Sequence, residues 1–454
     1  MSTPHYQDES VSLHHGDCLD MLRADDYGYD WNLGYRSARM FPDNSVDAVI
    51  TDPPYGIAFM GKAWDQPGAF GSERRNGSPQ RTQREGLAMD AGRYDLSPAA
   101  MLNFQRWSTA WATECLRILK PGGHLLAFGG SRTWHRLSSG IEDAGFEIRD
   151  SIAWLYGSGF PKSMDVSKAI DRAAGAERAR YARPAFGGTF SDDGGTTYGT
   201  ALDNTAVTEA AKQWQGWGTA LKPAFEPIVV ARKPLVGTVA QNVLEYGTGA
   251  LNIDACRIQA GQDYRDKCAS VVGLDSNRNG AAYGEWTGER ADSAHTDGRW
   301  PTNVALEESQ AEVLDQQSGT STSRVGKPRV ASSGAGWGMT ATGAEYGDTG
   351  GASRFFPTFR YEAKAPTSQR PNADGVQHPT VKPLDLMRWL VRLVTPVGAV
   401  VLEPFAGSGT TAEACVLEDR RCIAIEREED YLPLIVSRLR KPLQQGLFGL
   451  EAGA

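Results

Sequence analysis

Hydrophobic positions in the two ends of the chain follow two alternating periods. Short apolar runs at 11–15 ("VSLHH"), 46–50 ("VDAVI") and 124–128 ("HLLAF") are bounded by turn residues and predict strands buried in a sheet. Between the last two, apolar residues recur at helical spacing from an N-cap at Ser97 to Leu119. Strands that alternate with helices indicate an α/β fold, a doubly wound, mostly parallel sheet with helices on both faces.

The alternation continues after residue 130 and returns near the C-terminal end. The stretch "TWHRLSSGIEDAG" predicts a helix that ends at Gly145, and "FEIRDSIAWLYG" predicts one or two strands. "HPTVKPLDLMRWLVRLV" predicts a helix, and "GAVVLEPFAGSGTTAEACVLEDRRCIAIERE" predicts a strand, a glycine turn, a helix and a strand. "EDYLPLIVSRL" predicts a closing helix.

The middle of the chain, residues 157–372, loses this alternation. It is rich in Gly, Ser, Thr and Trp, with short strand-like runs such as "PAFEPIVVAR" and "WPTNVAL". A structureless loop of this length is improbable, so we predict a large glycine-rich central insertion that forms its own unit. The expected domains are therefore 1–156, 157–372 and 373–454, with a hydrophilic mobile loop at 61–94.

Composition narrows the class of protein without choosing its function. Hydrophobic residues make up 40% and charged residues 22%, and the net charge of -8 neither predicts nor excludes nucleic-acid binding. Neither a signal peptide nor an apolar run of about 18 residues is present, so we expect a cytoplasmic protein without a membrane partner. The six cysteines contain no C-x-x-C pair and predict reduced thiols, with no metal site and no disulfide framework.

The turn "LEPFAGSGTT", at 402–411, lies where an open α/β sheet binds ligands, between a strand and a helix. Gly407 and Gly409 would let the backbone approach a ligand, and Glu426 ends the next strand, where an acid binds ribose hydroxyls. Without a third glycine or a Gly-Lys-Thr phosphate loop, the turn favours a nucleoside such as S-adenosylmethionine. The alternative is a tight turn kept for packing.

The stretch "TDPPYG", at 51–56, suits methyl transfer to an exocyclic amine, whose lone pair is delocalised into its ring. The Asp52 carboxylate and the Pro53 carbonyl offer acceptors only, which would draw the amine toward tetrahedral geometry. Pro53 and Pro54 restrict the backbone, and Tyr55 would stack on a base that has left the duplex. The alternative is a proline-rich turn with a half-buried tyrosine.

Together the two motifs resemble those of the amino-group DNA methyltransferases, the N6-adenine and N4-cytosine enzymes, over about residues 10–160 and 376–441. The catalytic motif precedes the cofactor motif, as in the family's beta-type group, in which a recognition domain lies between them. The resemblance implies a Rossmann-like, S-adenosylmethionine-dependent, metal-independent enzyme that acts on double-stranded DNA. It also makes a cognate restriction nuclease a candidate partner and leaves the oligomeric state open.

The resemblance also carries site residues over. "HGDCLDML" resembles the acidic motif ahead of the catalytic strand, "HPTVKPLDL" the element that closes the cofactor pocket, and "IAWLYGSGFPKS" the wall of the target-base pocket. The implied catalytic residues are Asp52, Pro53, Pro54 and Tyr55. The implied cofactor-binding residues are Asp17, Thr380, Lys382, Pro383, Glu403, Pro404, Phe405, Gly407, Gly409, Thr410 and Glu426. At 403 the family commonly has aspartate, a change that keeps the carboxylate.

Several alternatives remain open. Aspartate before Pro-Pro-Tyr favours adenine N6 over cytosine N4, and rivals are methylation of RNA or of a protein glutamine, or DNA and cofactor binding without turnover. Loop arginines are expected to bind DNA phosphates, or else to form a solvated linker: Arg74, Arg75, Arg81 and Arg84. Five tryptophans of the middle segment either form a core or stack on bases: Trp214, Trp217, Trp286, Trp300 and Trp337.

Overall fold

The computed structural model describes residues 4–30, 34–57, 65, 96–157, 159, 163–184, 198–202, 204–261, 298–322, 349–360, 376, 378 and 380–440. Its strands are β1 (Tyr6–Gln7), β2 (Val11–His15), β3 (Asp25–Asp30), β4 (Gly34–Arg39), β5 (Val46–Thr51), β6 (Leu119–Phe128), β7 (Glu147–Leu155), β8 (Arg180–Pro184), β9 (Tyr198–Leu202), β10 (Phe225–Arg232), β11 (Val304–Glu307), β12 (Ser321–Thr322), β13 (Thr349–Gly350), β14 (Thr358–Phe359), β15 (Val400–Glu403) and β16 (Arg421–Glu426).

The helices are α1 (Cys18–Arg23), α2 (Pro98–Ile118), α3 (Trp134–Asp143), α4 (Val166–Ala173), α5 (Glu209–Gln213), α6 (Val239–Tyr246), α7 (Glu308–Ser318), α8 (Leu384–Val394), α9 (Thr410–Leu417) and α10 (Leu432–Leu439). Helix α2 begins where the sequence predicts, because the Ser97 side chain accepts a hydrogen bond from Ala100 N and Pro98 needs no N–H partner in the first turn. The predicted elements of both ends of the chain are confirmed, and 147–155 forms one strand.

One large sheet has the strand order β1-β2-β16-β15-β5-β6-β10-β7-β11-β14. Its strands are parallel to their neighbours except β1, which is antiparallel to β2, and β10, which is antiparallel to both β6 and β7. Successive residues of β6 alternate between two cores: Leu126 belongs to the core with α8 and α9, and Leu125 to the core with α2 and α3. The predicted doubly wound, mostly parallel α/β sheet is confirmed.

The middle segment contributes directly to this sheet. Strands β10, β11 and β14 come from it, and Asp254–Cys256 packs on α8 through a hydrogen bond from Trp389 Nε1 to Cys256 O (3.4 Å). The chain divides into two compact units, Met1–Gly157 with Phe225–Ala454, and Ser158–Ala224. The recognition role expected of 157–372 stays a prediction.

The smaller unit, Ser158–Ala224, is organised around a buried ion pair. Arg178 Nε lies 2.7 Å from Asp171 Oδ2, and the Asp171 carboxylate also accepts from the backbone N–H groups of Val207 and Thr208.

Two tryptophans of this unit are not core residues. Trp214 is 44% exposed and Trp217 60%, and their rings meet edge to face at 5.2 Å.

Some expectations are only partly covered by the structure. The four loop arginines lie outside the described residues, as does the loop 61–94 apart from Asp65. Five of the six cysteines, all but Cys268, are described, and they are free and buried. Within the ranges given above, no helix has the length and apolar character that a membrane span requires.

Candidate active site

Acidic residues mark one edge of the sheet, where four neighbouring parallel strands end. Strand β2 is followed by Asp17, β16 ends at Glu426, β15 ends at Glu403, and β5 is followed by Asp52. We call this the carboxyl edge. Because parallel strands end at the same side of a sheet, the catalytic turn and the glycine turn become neighbours. Thr51 and Glu403, which are 352 positions apart, share a hydrogen bond from Oγ1 to Oε1 (2.5 Å).

Glu403 is the most enclosed of these acids, with 2% of its surface exposed. Its carboxylate accepts from Thr51 Oγ1, from Thr411 Oγ1 (2.6 Å) and from Phe405 N (3.1 Å). Burial raises the pKa of Glu403 to about 8, against the opposing effect of these hydrogen bonds. Glu403 thereby joins β5, β15 and α9, and its expected contact with the cofactor stays a prediction.

The glycines of the turn between β15 and α9 have conformational reasons of their own. Gly407 has φ +52° and Gly409 φ +76°, a region that side chains with a Cβ rarely adopt. A Cβ on Gly409 would lie 2.9 Å from the Ile435 side chain, and one on Gly407 would lie 3.1 Å from the His378 ring. The sequence predicts that a ligand approaches these glycines closely, and in the structure the side chains of Ile435 and His378 do so. Packing is therefore one reason for glycine at these positions, and cofactor binding remains a second.

Glu426 and Asp17 offer acceptors beside that turn. The Glu426 carboxylate accepts from Gly407 N (2.7 Å) and Glu428 N (2.8 Å), and burial raises its pKa to about 7. Since a carboxylate has about four acceptor positions, it retains capacity for ribose hydroxyls. Asp17 caps α1 by accepting from Leu19 N (2.9 Å), and its side chain is 39% exposed. These groups fit a nucleoside cofactor.

The remaining residues expected around the cofactor have varied positions. The Phe405 ring packs against Trp107 (5.5 Å) and Trp111 (5.6 Å), and so lies in the core under α2. Thr410 is buried beside Ser408, with 2.9 Å between their hydroxyl oxygens. Pro404 is buried in the turn, Pro383 is the N-cap residue of α8, and the Thr380 carbonyl oxygen contacts His378 Nδ1.

The catalytic turn after β5 is fixed on two sides by residues that the sequence analysis did not identify. Gly56 has φ +67°, and its N–H donates to Asp65 Oδ1 (2.7 Å), a buried carboxylate. Thr133 Oγ1 donates to the Tyr55 carbonyl (2.7 Å). Neither residue belongs to a recognisable motif, so no sequence signal could have found them. The Asp52 side chain, 25% exposed, remains accessible at the end of this fixed turn.

Lys382 contacts the catalytic turn, and its expected contact with the cofactor stays a prediction. Its Nζ lies 3.1 Å from Asp52 Oδ1 and 2.9 Å from the Tyr55 hydroxyl, which in turn donates to Asp52 Oδ1 (2.9 Å). The same Nζ lies 2.9 Å from Oε2 of Glu226, a residue of β10 that the sequence analysis missed. The one sequence feature that could have indicated a role for Glu226 is that it is the only acid in the otherwise mostly apolar run "FEPIVVAR".

The charges around Lys382 keep Lys382 and Tyr55 protonated. Burial alone would lower the pKa of Lys382, but the carboxylates of Asp52 and Glu226 outweigh it, so the pKa is raised and the ammonium persists. Burial and the same two charges raise the pKa of Tyr55 well above its usual value, which keeps its hydroxyl protonated. The site therefore combines one ammonium, one phenol and two carboxylates.

The DNA methylase family of N6 and N4 methyltransferases has a model that matches residues 46–437 of this chain. The chain belongs to this family. Its relatives include the type II methyltransferase M.HindIII of Haemophilus influenzae, 22% identical over 404 residues, or 87% of this chain and 89% of that protein. M2.MboI of Moraxella bovis is 47% identical over 58 residues, which cover 13% of this chain and 21% of that protein.

Two solved structures illustrate the likeness. The PvuII DNA methyltransferase (cytosine-N4-specific) is 13% identical with a TM-score of 0.42, covering 96% of this chain and 89% of that one. TTHA0409 of Thermus thermophilus in complex with S-adenosyl-L-methionine is 15% identical with a TM-score of 0.35, covering 94% and 91%. From the family, the protein is an S-adenosylmethionine-dependent DNA methyltransferase specific for adenine N6 or cytosine N4. The predicted family, enzyme class and cofactor are confirmed.

Proposed function

We propose that this DNA methyltransferase modifies the N6 amine of adenine in double-stranded DNA, with Asp52, Pro53, Pro54 and Tyr55 as its catalytic turn. The observation that carries the proposal is the position of Asp52 at the carboxyl edge, directly after β5, which pairs with the strand that leads into the glycine turn. The aspartate before Pro-Pro-Tyr favours adenine. Methylation of cytosine N4 is the alternative that the family leaves open.

The catalytic turn would act on the amine by accepting hydrogen bonds from its N–H groups. When bound, S-adenosylmethionine supplies an electrophilic methyl group on a sulfonium. Asp52 and the Pro53 carbonyl would accept hydrogen bonds from the two N–H groups of the amine, turning the nitrogen lone pair toward that methyl. Among the described residues both contacts of Asp52 use Oδ1, which leaves Oδ2 for the amine. The nitrogen–methyl bond would form as the methyl–sulfur bond breaks, which leaves a neutral thioether, and the nitrogen would then release one proton to water.

The carboxyl edge would hold the cofactor. Glu426 would accept from the ribose hydroxyls and Asp17 would contact the nucleoside, and the carboxylates of Asp17 and Asp52 would complement a positive sulfonium. The turn residues would surround it: Glu403, Pro404, Phe405, Gly407, Gly409 and Thr410. Lys382, with Thr380 and Pro383 beside it, would cover the opening between the catalytic turn and the glycine turn, because its Nζ contacts Asp52 and Tyr55.

DNA contacts would come from the middle of the chain and the loop arginines. We assign target recognition to 157–372, and the exposed ring pair of Trp214 and Trp217 supports a stacking role there. Phosphate binding is assigned to the four arginines of the loop: Arg74, Arg75, Arg81 and Arg84. A cognate restriction nuclease is the proposed partner in the cell.

A nucleoside analysis tests the proposal. The protein is incubated with labelled S-adenosylmethionine and unmethylated duplex DNA, which is then digested to nucleosides. N6-methyladenine is the expected product, and N4-methylcytosine would replace the adenine assignment with its alternative. Asp52→Ala should lower turnover at least about 100-fold while cofactor affinity is kept. Asp43→Ala, at a 65% exposed carboxylate just ahead of β5, is the matched control and should change neither. Full activity of Asp52→Ala would refute the assigned role.

A further inference from the structure

Glu226 is an unusual residue for its position. It lies near the start of β10, a strand whose next six residues are all buried, and its side chain is 22% exposed. Its carboxylate contacts the Lys382 ammonium at 2.9 Å, and no other partner of Glu226 is found within the described part of the chain. The one interaction that this carboxylate makes with the described residues is therefore its ion pair with Lys382.

The Lys382 ammonium is fully engaged by three acceptors. It has three N–H donors, and the structure shows three oxygens within reach: those of Asp52, Tyr55 and Glu226. The Phe128 ring also lies beside it, with its centroid 4.6 Å from Nζ. The Asp52, Tyr55 and Lys382 atoms close a triangle with edges of 2.9, 2.9 and 3.1 Å. Moving any one of them would disturb the other two.

Charge explains why a second carboxylate is needed. Without Glu226, Asp52 would be the only carboxylate paired with the ammonium, and that ion pair would compete with the target amine for the Asp52 oxygens. With Glu226 present, the ammonium is shared between two carboxylates, and the cluster of Asp52, Glu226 and Lys382 carries one net negative charge. That charge complements a sulfonium and leaves Asp52 free to accept from the base.

We propose that Glu226 is a positioning residue for methyl transfer, which acts through Lys382 to hold the Asp52 carboxylate and the Tyr55 hydroxyl in their receptive arrangement. The inference rests on the proposed role of Asp52 and adds to it a residue from the middle segment. It also assigns Lys382 to the catalytic turn, where it contacts the acids, rather than to the cofactor alone.

The first test compares Glu226→Gln with Glu147→Gln. Glu147 forms an ion pair with Arg232 at the other end of the same strand (2.7 Å), so its loss reports on β10 without touching the cluster. We expect Glu226→Gln to lower kcat about 10- to 100-fold, with less than about threefold change in the KM for DNA and in the S-adenosylmethionine affinity measured by calorimetry. Glu147→Gln should keep wild-type kcat.

Restoring the charge separates positioning from mere packing. The charged and titratable groups that face Lys382 are Asp52, Glu226 and Tyr55, so Glu226→Gln removes one of the two negative charges beside the ammonium. Glu226→Asp keeps that charge and should recover kcat to within about threefold of wild type, while Glu226→Gln stays slow. A Glu226→Asp variant as slow as Glu226→Gln would overturn the proposal.

A double-mutant cycle completes the test. If Glu226 acts through Lys382, Lys382→Met and the double variant with Glu226→Gln should have the same kcat within about twofold. Multiplied losses would overturn the proposal. Asp52→Ala distinguishes its failure from that of the proposed function. An active Glu226→Gln with an inactive Asp52→Ala removes the role of Glu226 alone, whereas an active Asp52→Ala removes both.

Discussion

The hydrogen bond between Thr51 and Glu403 joins the catalytic strand to the cofactor strand, and Thr51→Val would remove it. Thr51 is fully buried, and its hydroxyl donates to Glu403 Oε1 at 2.5 Å. Valine has nearly the same shape, so the change deletes the donor without opening a large cavity. Thr51→Ser is the matched control, because it keeps the hydroxyl and loses one methyl group.

The magnitude of this effect depends on the charge of Glu403. A hydrogen bond to a neutral group contributes about 0.5–1.5 kcal/mol to stability, and one to a charged group about 1.5–3 kcal/mol. The pKa of Glu403 is raised by burial to about 8, and the Thr51 hydrogen bond acts to lower it. A carboxyl with a raised pKa contributes stability at low pH and loses it as pH rises toward that pKa. Thr51→Val should therefore cost about 1 kcal/mol at pH 6 and about 2 kcal/mol or more at pH 9.

Urea unfolding of wild type, Thr51→Val and Thr51→Ser at pH 6 and pH 9 measures these free energies of unfolding. Thr51→Ser should lose about 1 kcal/mol at both pH values, since only packing changes. Methyl transfer by Thr51→Val should also slow, because Asp52 directly follows the loosened residue. A Thr51→Val deficit that is equal at the two pH values would refute a bond to an ionising carboxyl.

Three further measurements follow from the structure. Gly409→Ala should lower the free energy of unfolding by about 2 kcal/mol and weaken S-adenosylmethionine binding in calorimetry, because the φ of +76° and the nearby Ile435 side chain both oppose a Cβ. Gly398 is the control: it has φ +80° with nothing within 4 Å, so Gly398→Ala should lower the free energy of unfolding by only about 1 kcal/mol. His124, whose pKa burial lowers to about 4, should make wild type lose up to about 3 kcal/mol between pH 6.5 and pH 4, and urea unfolding of His124→Leu should show a flatter profile. Trp217→Ala should weaken DNA binding about tenfold in fluorescence titrations, whereas Leu221→Ala, at a 91% exposed side chain, should not.

The sequence by itself determined the sheet and the two functional turns. Strands buried on both faces are mostly apolar, so runs such as "VDAVI" and "HLLAF" identify the central strands without further information. Turn chemistry is equally local, because Pro53 and Pro54 restrict the backbone through their own rings, and Gly407 and Gly409 adopt a φ that other residues avoid. The conformations of both turns could therefore be predicted from short segments of the sequence.

Only the tertiary structure decided which distant residues complete the site. Glu226 reaches Lys382 because β10 inserts antiparallel between β6 and β7, an arrangement that the period of "PAFEPIVVAR" does not encode. Asp65 supports Gly56, and Thr133 supports Tyr55, through side-chain hydrogen bonds to the backbone. Periodicity and turn chemistry report local conformation. Pairing between strands and ion pairs across the sheet depend on three-dimensional packing, so no local pattern could reveal them.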